Sequence, residues 1–328
     1  MCRLSIIIPL WADNDSFEDT LASVLQNRPA ECEVLVVHSQ VYDDPYDLAG
    51  EVRFVPVPQG AGSSQMINAG CRASQGDIVH VLQPGVLATD GWTDSALASF
   101  RDLQVCAVAP ILVDAADEDR IMAAGLRYTR GGRRVCHAAG VTRSQDSRVL
   151  LREIVGPGLF AGFYRRWIWE AIGGFCERLD VDWADVDFAL SLQALGYRAV
   201  LAAESVVRTS STAVPDVPLS FHSGRGAECV FWRHAAGNGV AASLVCHPFT
   251  VFGSLLRDGK RGAAYAHFGG RICALFGIGG HLAHAGRVRR DVEFFLLETP
   301  PAALNRGRRQ DPQGPSAKSS PQTYRDAA

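Results

Sequence analysis

Two aspartates, Asp182 and Asp185, stand where a helix is predicted to begin over Asp185 to Leu195. A carboxylate in that position has two readings: it takes a proton from a hydroxyl within hydrogen-bond reach, or it caps the helix. The helix dipole favours its charged form, whereas apolar neighbours raise its pKa. Trp11, just after an apolar run, is either a stacking surface for a flat ring or simple packing. Arg127, Arg130, Arg133 and Arg134 flank Gly131-Gly132 and either meet an anion or are solvated. The stretch Gly60-Ala61-Gly62-Ser63-Ser64 lacks the Gly-Lys-Ser/Thr ending that supplies a phosphate lysine, so it reads as a turn and helix cap.

The nine cysteines lie singly, with no C-x-x-C pair, which fits buried thiols in a reducing compartment. The histidines (His38, His80, His137, His222, His234, His247, His267, His281 and His284) show no ligand spacing, and no metal is assigned to them. A net charge of -3 gives no global field for nucleic acid or an anionic membrane. An NAD-dependent oxidoreductase is disfavoured, because Pro9-Leu10-Trp11 follows the first strand in place of G-x-G-x-x-G.

These residues need a frame. The first hundred or so residues alternate β-branched runs with helical patterns, the mark of β-α-β units around a mostly parallel sheet. Ser5 to Ile8 opens the sheet, Asp15 and Glu18 form a capping box for the next helix, and Val34 to Val37 is a strand buried on both faces. Arg53 to Val57 is an edge strand, Ser63 or Ser64 caps a helix, and Ile78 to Leu82 is a strand closed by the turn Gln83-Pro84-Gly85. Val105 to Leu112 is another buried strand, and Leu126 to Val141 a hairpin expected at the surface. Leu159 to Tyr164, Arg198 to Ala202 and Ser205 to Thr209 complete the strands, and helices follow to about Arg290.

Four segments carry a resemblance: Ser5-Ile6-Ile7-Ile8-Pro9-Leu10-Trp11; Met66-Ile67-Asn68-Ala69-Gly70 with Gly76-Asp77-Ile78-Val79-His80-Val81-Leu82; Arg165-Arg166 through Gly173-Gly174-Phe175 to Trp183-Ala184-Asp185-Val186-Asp187; and Leu195-Gly196-Tyr197-Arg198 closing on Arg208. In order and spacing the chain resembles family 2 glycosyltransferases. The resemblance implies an α/β, GT-A type, Rossmann-like mixed and mostly parallel sheet flanked by helices over residues 1–212. A helical extension over 213–298 and a disordered tail over 299–328 are expected beyond it.

The same resemblance implies Asp185 as the catalytic base, with Pro9, Trp11, His38, Asn68, Gln83, Gly85 and Arg208 around the donor. Gly173, Gly174 and Trp183 fall on the acceptor side. Two departures bear on chemistry. The family's Asp-x-Asp is replaced by Gln83-Pro84-Gly85, and its Glu-Asp pair by Ala184-Asp185. The usual carboxylate ligands of Mg or Mn are therefore absent, no tightly bound cofactor is expected, and Arg208 is the cation offered to the leaving diphosphate.

Transfer of a sugar, with inversion, from a nucleotide-sugar donor to a saccharide, lipid-linked or protein acceptor is the leading expectation. A catalytically inactive sugar- or nucleotide-binding module, partner to an active enzyme, is the alternative. Ile272 to Ala283 is cut by glycines and falls short of the ~20 residues a spanning helix needs. A cytoplasmic protein with at most a weak peripheral membrane contact through Arg287, Arg289 and Arg290 is expected.

Overall fold

The computed structural model describes residues 4–10, 14–40, 47–144, 147–150, 152–209, 217–235, 239–257 and 261–299. Its strands are β1 (Leu4–Leu10), β2 (Cys32–His38), β3 (Val52–Pro56), β4 (Ile78–Val81), β5 (Val86–Ala88), β6 (Val105–Asp114), β7 (Ile121–Ala123), β8 (Leu126–Tyr128), β9 (Arg134–Cys136), β10 (Phe163–Arg165) and β11 (Arg198–Thr209). Its helices are α1 (Asn14–Asn27), α2 (Ser63–Ala73), α3 (Asp94–Ser99), α4 (Ser147–Leu150), α5 (Arg166–Ile172), α6 (Val181–Ala194), α7 (Phe221–His234), α8 (Val240–Arg257), α9 (Arg261–Leu275), α10 (Ile278–Leu282) and α11 (His284–Glu298).

One large sheet runs β3-β2-β1-β4-β10-β6-β11-β5, with β7 beside β6. β1, β2, β3 and β4 are parallel, β10 is inserted antiparallel between β4 and β6, and β6 and β11 are again parallel. The continuous apolar runs of β1 and β6 are buried at every residue, as strands covered on both faces require. Gly70 lets α2 lie close on that sheet: a Cβ there would come 2.5 Å from Ile7 Cγ2 and 2.9 Å from Val37 Cγ2.

The chain leaves β1 towards β2 and β3, then returns to β1's other side as β4. At a reversal of this kind open α/β sheets bind their ligands, in the crevice beyond the carboxyl ends of the strands. Leu10 pairs with His38, so β1 and β2 end level at that crevice.

Several local expectations are corrected. The first helix includes Asn14, so Asp15 lies in its first turn and is not its cap. The helix expected from Asp185 starts at Val181, with Asp180 as N-cap, which carries Asp185 past the first turn where the dipole acts. Gly62, not a serine, is the N-cap of α2, and the Gln65 side chain accepts its N–H at 2.9 Å. The two strands expected over 198–209 are one, β11, with a register shift between Leu201 and Val206. Of the expected strand Leu159 to Tyr164, only Phe163 and Tyr164 are extended, because Ala161 N–H closes a turn onto Gly158 O at 3.2 Å.

The larger correction concerns the hairpin. β8 and β9 do pair antiparallel, but Leu126, Gly131, Gly132, Arg134 and Cys136 are buried. The C-terminal helices cover this hairpin, and helical periodicity alone does not tell which surface a helix will cover. α7 crosses α9 so closely that a Cβ on Gly224 would run into the His267 backbone, and one on Gly270 into the Phe221 backbone. α7 also lies on α6, where Gly226 faces the Trp183 indole, and α11 packs on α5 and α6. Helix continues to Glu298, beyond the expected Arg290, and residues 300–328 of the expected tail lie outside the described residues.

Candidate active site

At the carboxyl ends of β1, β2 and β4 stand several of the residues expected around the donor. Pro9 is buried in β1, paired with Val37. His38 closes β2, its Nδ1 2.7 Å from Gln40 O, and Trp11 lies outside the described residues. After β4 the chain turns at Gln83-Pro84-Gly85-Val86, closed by Val86 N–H to Gln83 O at 3.1 Å. Pro84 presets the first bend, and Gly85 at φ 85° supplies the left-handed residue that the second requires. Gly85 N–H donates to Ser16 O at 3.1 Å and Thr20 Oγ1 at 2.9 Å, tying the turn to α1. An amide, a proline ring and a glycine offer a divalent cation no carboxylate.

Arg208 stands beside that turn, because β11 pairs antiparallel with β5: Arg208 is opposite Leu87 and Thr209 opposite Val86. Its Nη2 is 2.7 Å from Glu118 Oε1 in a solvent-exposed pair. Asn68 serves a different purpose in the fold. Its Nδ2 donates to Phe175 O at 2.8 Å and Glu177 Oε1 at 3.0 Å, and its Oδ1 accepts Phe175 N–H at 2.9 Å. These bonds clamp α2 to the loop after α5. Gly173 and Gly174 open that loop at φ 90° and 82°, ending α5. Gly174 packs on Asn68 and Trp169, whereas Gly173 is exposed.

Asp185 is 2% exposed and is held by a residue that sequence reasoning left in solvent. Arg134 of β9 grips it bidentately, Nη2 to Oδ2 at 2.8 Å and Nε to Oδ1 at 3.3 Å, and reaches Asp182 at 3.8 Å. Burial pushes the Asp185 carboxyl up, Arg134 opposes it, and the group stands at about 6. A carboxylate poised there is a competent proton acceptor near neutral pH. Nothing in the sequence marks the pair, because the partners lie 51 residues apart on a hairpin and a helix.

Next to this pair lies a cleft of ≈ 1040 Å³ between the hairpin turn, α6, α8 and α9. Trp183, Arg134, Arg133, Arg130, His267 and Arg271 line it, and no carboxylate among the described residues does. A buried network forms its back wall. Glu228 of α7 accepts from Arg271 Nη1 at 2.9 Å, from Trp232 Nε1 at 2.8 Å and from His247 Nε2 at 3.0 Å. His247 Nδ1 in turn donates to Gly131 O at 2.8 Å, joining three helices to the hairpin turn. Burial raises the Glu228 carboxyl, but His247 and Arg271 outweigh it and hold the group low, as a carboxylate.

His80 is fully buried in β4, donating from Nδ1 to Gly162 O at 3.1 Å and accepting Trp92 Nε1–H at 3.2 Å. Burial drives it down to about 3, so it is a neutral core residue. His234 and His284, for which no spacing signal exists, meet at Asp187.

Sheet order, crevice and flanking helices together define a GT-A type glycosyltransferase fold. One solved structure of that kind is GalNAc-T7 with UDP, GalNAc and Mn2+, matched over 72% of this chain and 48% of that one at TM-score 0.52 and 13% identity. The chain thus spans about half the length of GalNAc-T7. Another is the mannosyltransferase PcManGT from Pyrobaculum calidifontis in complex with GDP-Man and Mn2+, matched over 93% of this chain and 78% of that one at 18% identity and TM-score 0.47. No protein-family model matches the sequence, and no curated protein is similar to it.

Proposed function

We propose that the protein is a glycosyltransferase that moves a sugar, with inversion, from a nucleotide-activated donor to an acceptor hydroxyl. The observation that carries this reading is the ionisable carboxylate of Asp185 beside a cation-lined cleft, within a sheet whose switch-point crevice is of the GT-A type. The donor occupies the crevice among Pro9, Trp11, His38, Gln83 and Gly85, with Asn68 acting indirectly by fixing the loop after α5. The acceptor enters the cleft past Trp183, and Gly173 and Gly174 shape the loop at its approach.

Asp185 takes the acceptor proton as the hydroxyl attacks the anomeric carbon. For that step Arg134 lets one carboxylate oxygen turn to the acceptor while holding the other. Charge on the departing diphosphate falls to Arg208, which exchanges Glu118 for phosphate; an exposed pair of this kind is worth only about 0–1 kcal/mol, so the exchange is cheap. Arg130 and Arg133, exposed at the cleft, favour an acceptor with anionic groups, saccharide or lipid-linked.

Two observations favour a second reading, that of a sugar- or nucleotide-binding module. Asp185 is closed over by Arg134, and the Gln83-Pro84-Gly85 turn has no metal-binding acid. Nucleotide sugars screened for thermal stabilisation and for turnover, each with manganese and with a chelator, separate the two. Chelator-insensitive turnover that Asp185→Asn abolishes supports the transferase. Stabilisation without turnover supports the module, and the absence of both overturns each.

A further inference from the structure

Asp187 lies two residues beyond Asp185 on α6, which turns it to the opposite side of the helix, toward α7 and α11. There it meets two histidines from different helices. Its Oδ1 is 3.0 Å from His234 Nε2, in the last turn of α7, and 3.9 Å from His284 Nε2, at the start of α11. The three ligand atoms all lie within 4.8 Å of one another. Its other oxygen, Oδ2, accepts from Arg233 Nη1 at 2.6 Å.

A hydrogen-bonded cluster accounts for part of this arrangement. His234 and Arg233 satisfy Asp187, and the three together pin α7 to α6. It does not account for His284. The Nε2 atom of that ring is shielded from solvent, is aimed at Asp187 from beyond hydrogen-bond length, and has no hydrogen-bond partner among the described residues. A buried polar atom without a partner calls for a reason.

We propose that Asp187 Oδ1, His234 Nε2 and His284 Nε2 bind a zinc-type divalent cation, with a small exogenous ligand such as water in the fourth position. With metal–ligand bonds of about 2.0–2.1 Å, neighbouring ligands of a tetrahedral site lie about 3.3 Å apart. The observed 3.0 and 3.9 Å straddle that value and the two rings' Nε2 atoms are no more than 4.8 Å apart, so side-chain rotations that move these atoms by about an ångström or less close the site. Two imidazoles with one carboxylate oxygen select zinc-like ions over magnesium or calcium, which want oxygen ligands. Arg233 on Oδ2 then acts as the outer hydrogen bond that orients a ligating carboxylate.

Protonation agrees with that geometry. Burial holds His284 down to about 4, which leaves a neutral imidazole. Burial raises Asp187, but its contacts with His234, Arg233 and His284 outweigh this and hold it at about 2, a carboxylate. The site joins α6, α7 and α11, so the ion would staple the C-terminal helices to the helix that carries Asp185. It is separate from the crevice at the strand ends, and a transferase and a binding module would both retain it.

The test uses the full chain, stripped with a chelator and titrated with zinc and with cobalt. Zinc is expected to raise the melting temperature in a concentration-dependent way, and cobalt to give the intense visible absorption of tetrahedral coordination. His284→Ala removes a ring whose Nε2 makes no hydrogen bond among the described residues, so the metal-free variant should fold. Its affinity for either ion should fall at least tenfold, and Arg233→Gln should weaken binding about 10–100-fold. Equal melting temperatures with and without zinc, a spectrum of hydrated cobalt only, or an affinity unchanged in His284→Ala would each overturn the proposal.

Discussion

Arg134 and Asp185 form the contact on which the proposed chemistry turns. Both side chains are almost fully buried, so neither charge is tolerable without the other. Arg134→Gln should therefore destabilise the fold by about 3–5 kcal/mol, measured by denaturant unfolding. It should also move the acid limb of the rate profile, because the carboxyl loses the one cation that opposes its burial. In the wild-type protein turnover should rise with pH through about 6, as Asp185 becomes the carboxylate that accepts the proton. In the variant the limb should lie higher. Asp185→Asn should lower kcat by about 10²–10⁴-fold and leave donor affinity, read by calorimetry, unchanged. An equal loss of donor affinity would assign Asp185 to binding, not to proton transfer.

Asp187 makes the opposite case at the same scale. Its folded pKa, about 2, lies below its ordinary value of 3.8, so the folded state binds fewer protons than the unfolded chain between those two values. The resulting stability, about 2 kcal/mol, is fully present above about pH 4 and is lost as pH falls through about 2. In chelator-treated protein, Asp187→Asn should remove that acid-side slope from a series of unfolding curves.

Among the elements, the close helix contacts are the most exposed to test. α7 and α9 approach through Gly224 and Gly270, where any Cβ would strike the backbone of the facing helix. Packed helices cannot yield there without moving apart. Gly270→Ala should lower the melting temperature strongly and open the wall around Glu228, which circular dichroism melts and amide exchange of α7 would report. Gly70→Ala presses instead on side chains of Ile7 and Val37, which can adjust, and should cost only about 1–3 kcal/mol.

Across the whole molecule, the helices after β11 are part of the folded body. They cover the hairpin that supplies Arg134 and the faces of α5 and α6. A chain ending at Thr209 should expose Trp183 and leave Asp187 without its histidine and arginine partners, and should be recovered only as aggregate. Recovery of a soluble, cooperatively melting fragment would contradict this. Among the described residues, the large apolar side chains exposed at the surface, Leu103 excepted, lie between Phe221 and Leu297, yet no described helix is long and apolar enough to cross a membrane.

The apolar strands β1, β2, β4 and β6 and the turn at Gln83-Pro84-Gly85 were legible in the sequence, because a doubly covered strand must be apolar throughout and a left-handed turn position favours glycine. Asp185 stood out by its place in an ordered set of short segments, and the structure buries it beneath an arginine. The pairing of Arg134 with Asp185, the role of Glu228 and the meeting of Asp187 with His234 and His284 carried no signal. Their partners lie 19 to 51 residues away or farther along the chain, on helices whose apolar faces fix only that they pack. Periodicity states which side of a helix leaves water; only the completed packing decides which buried charge meets which.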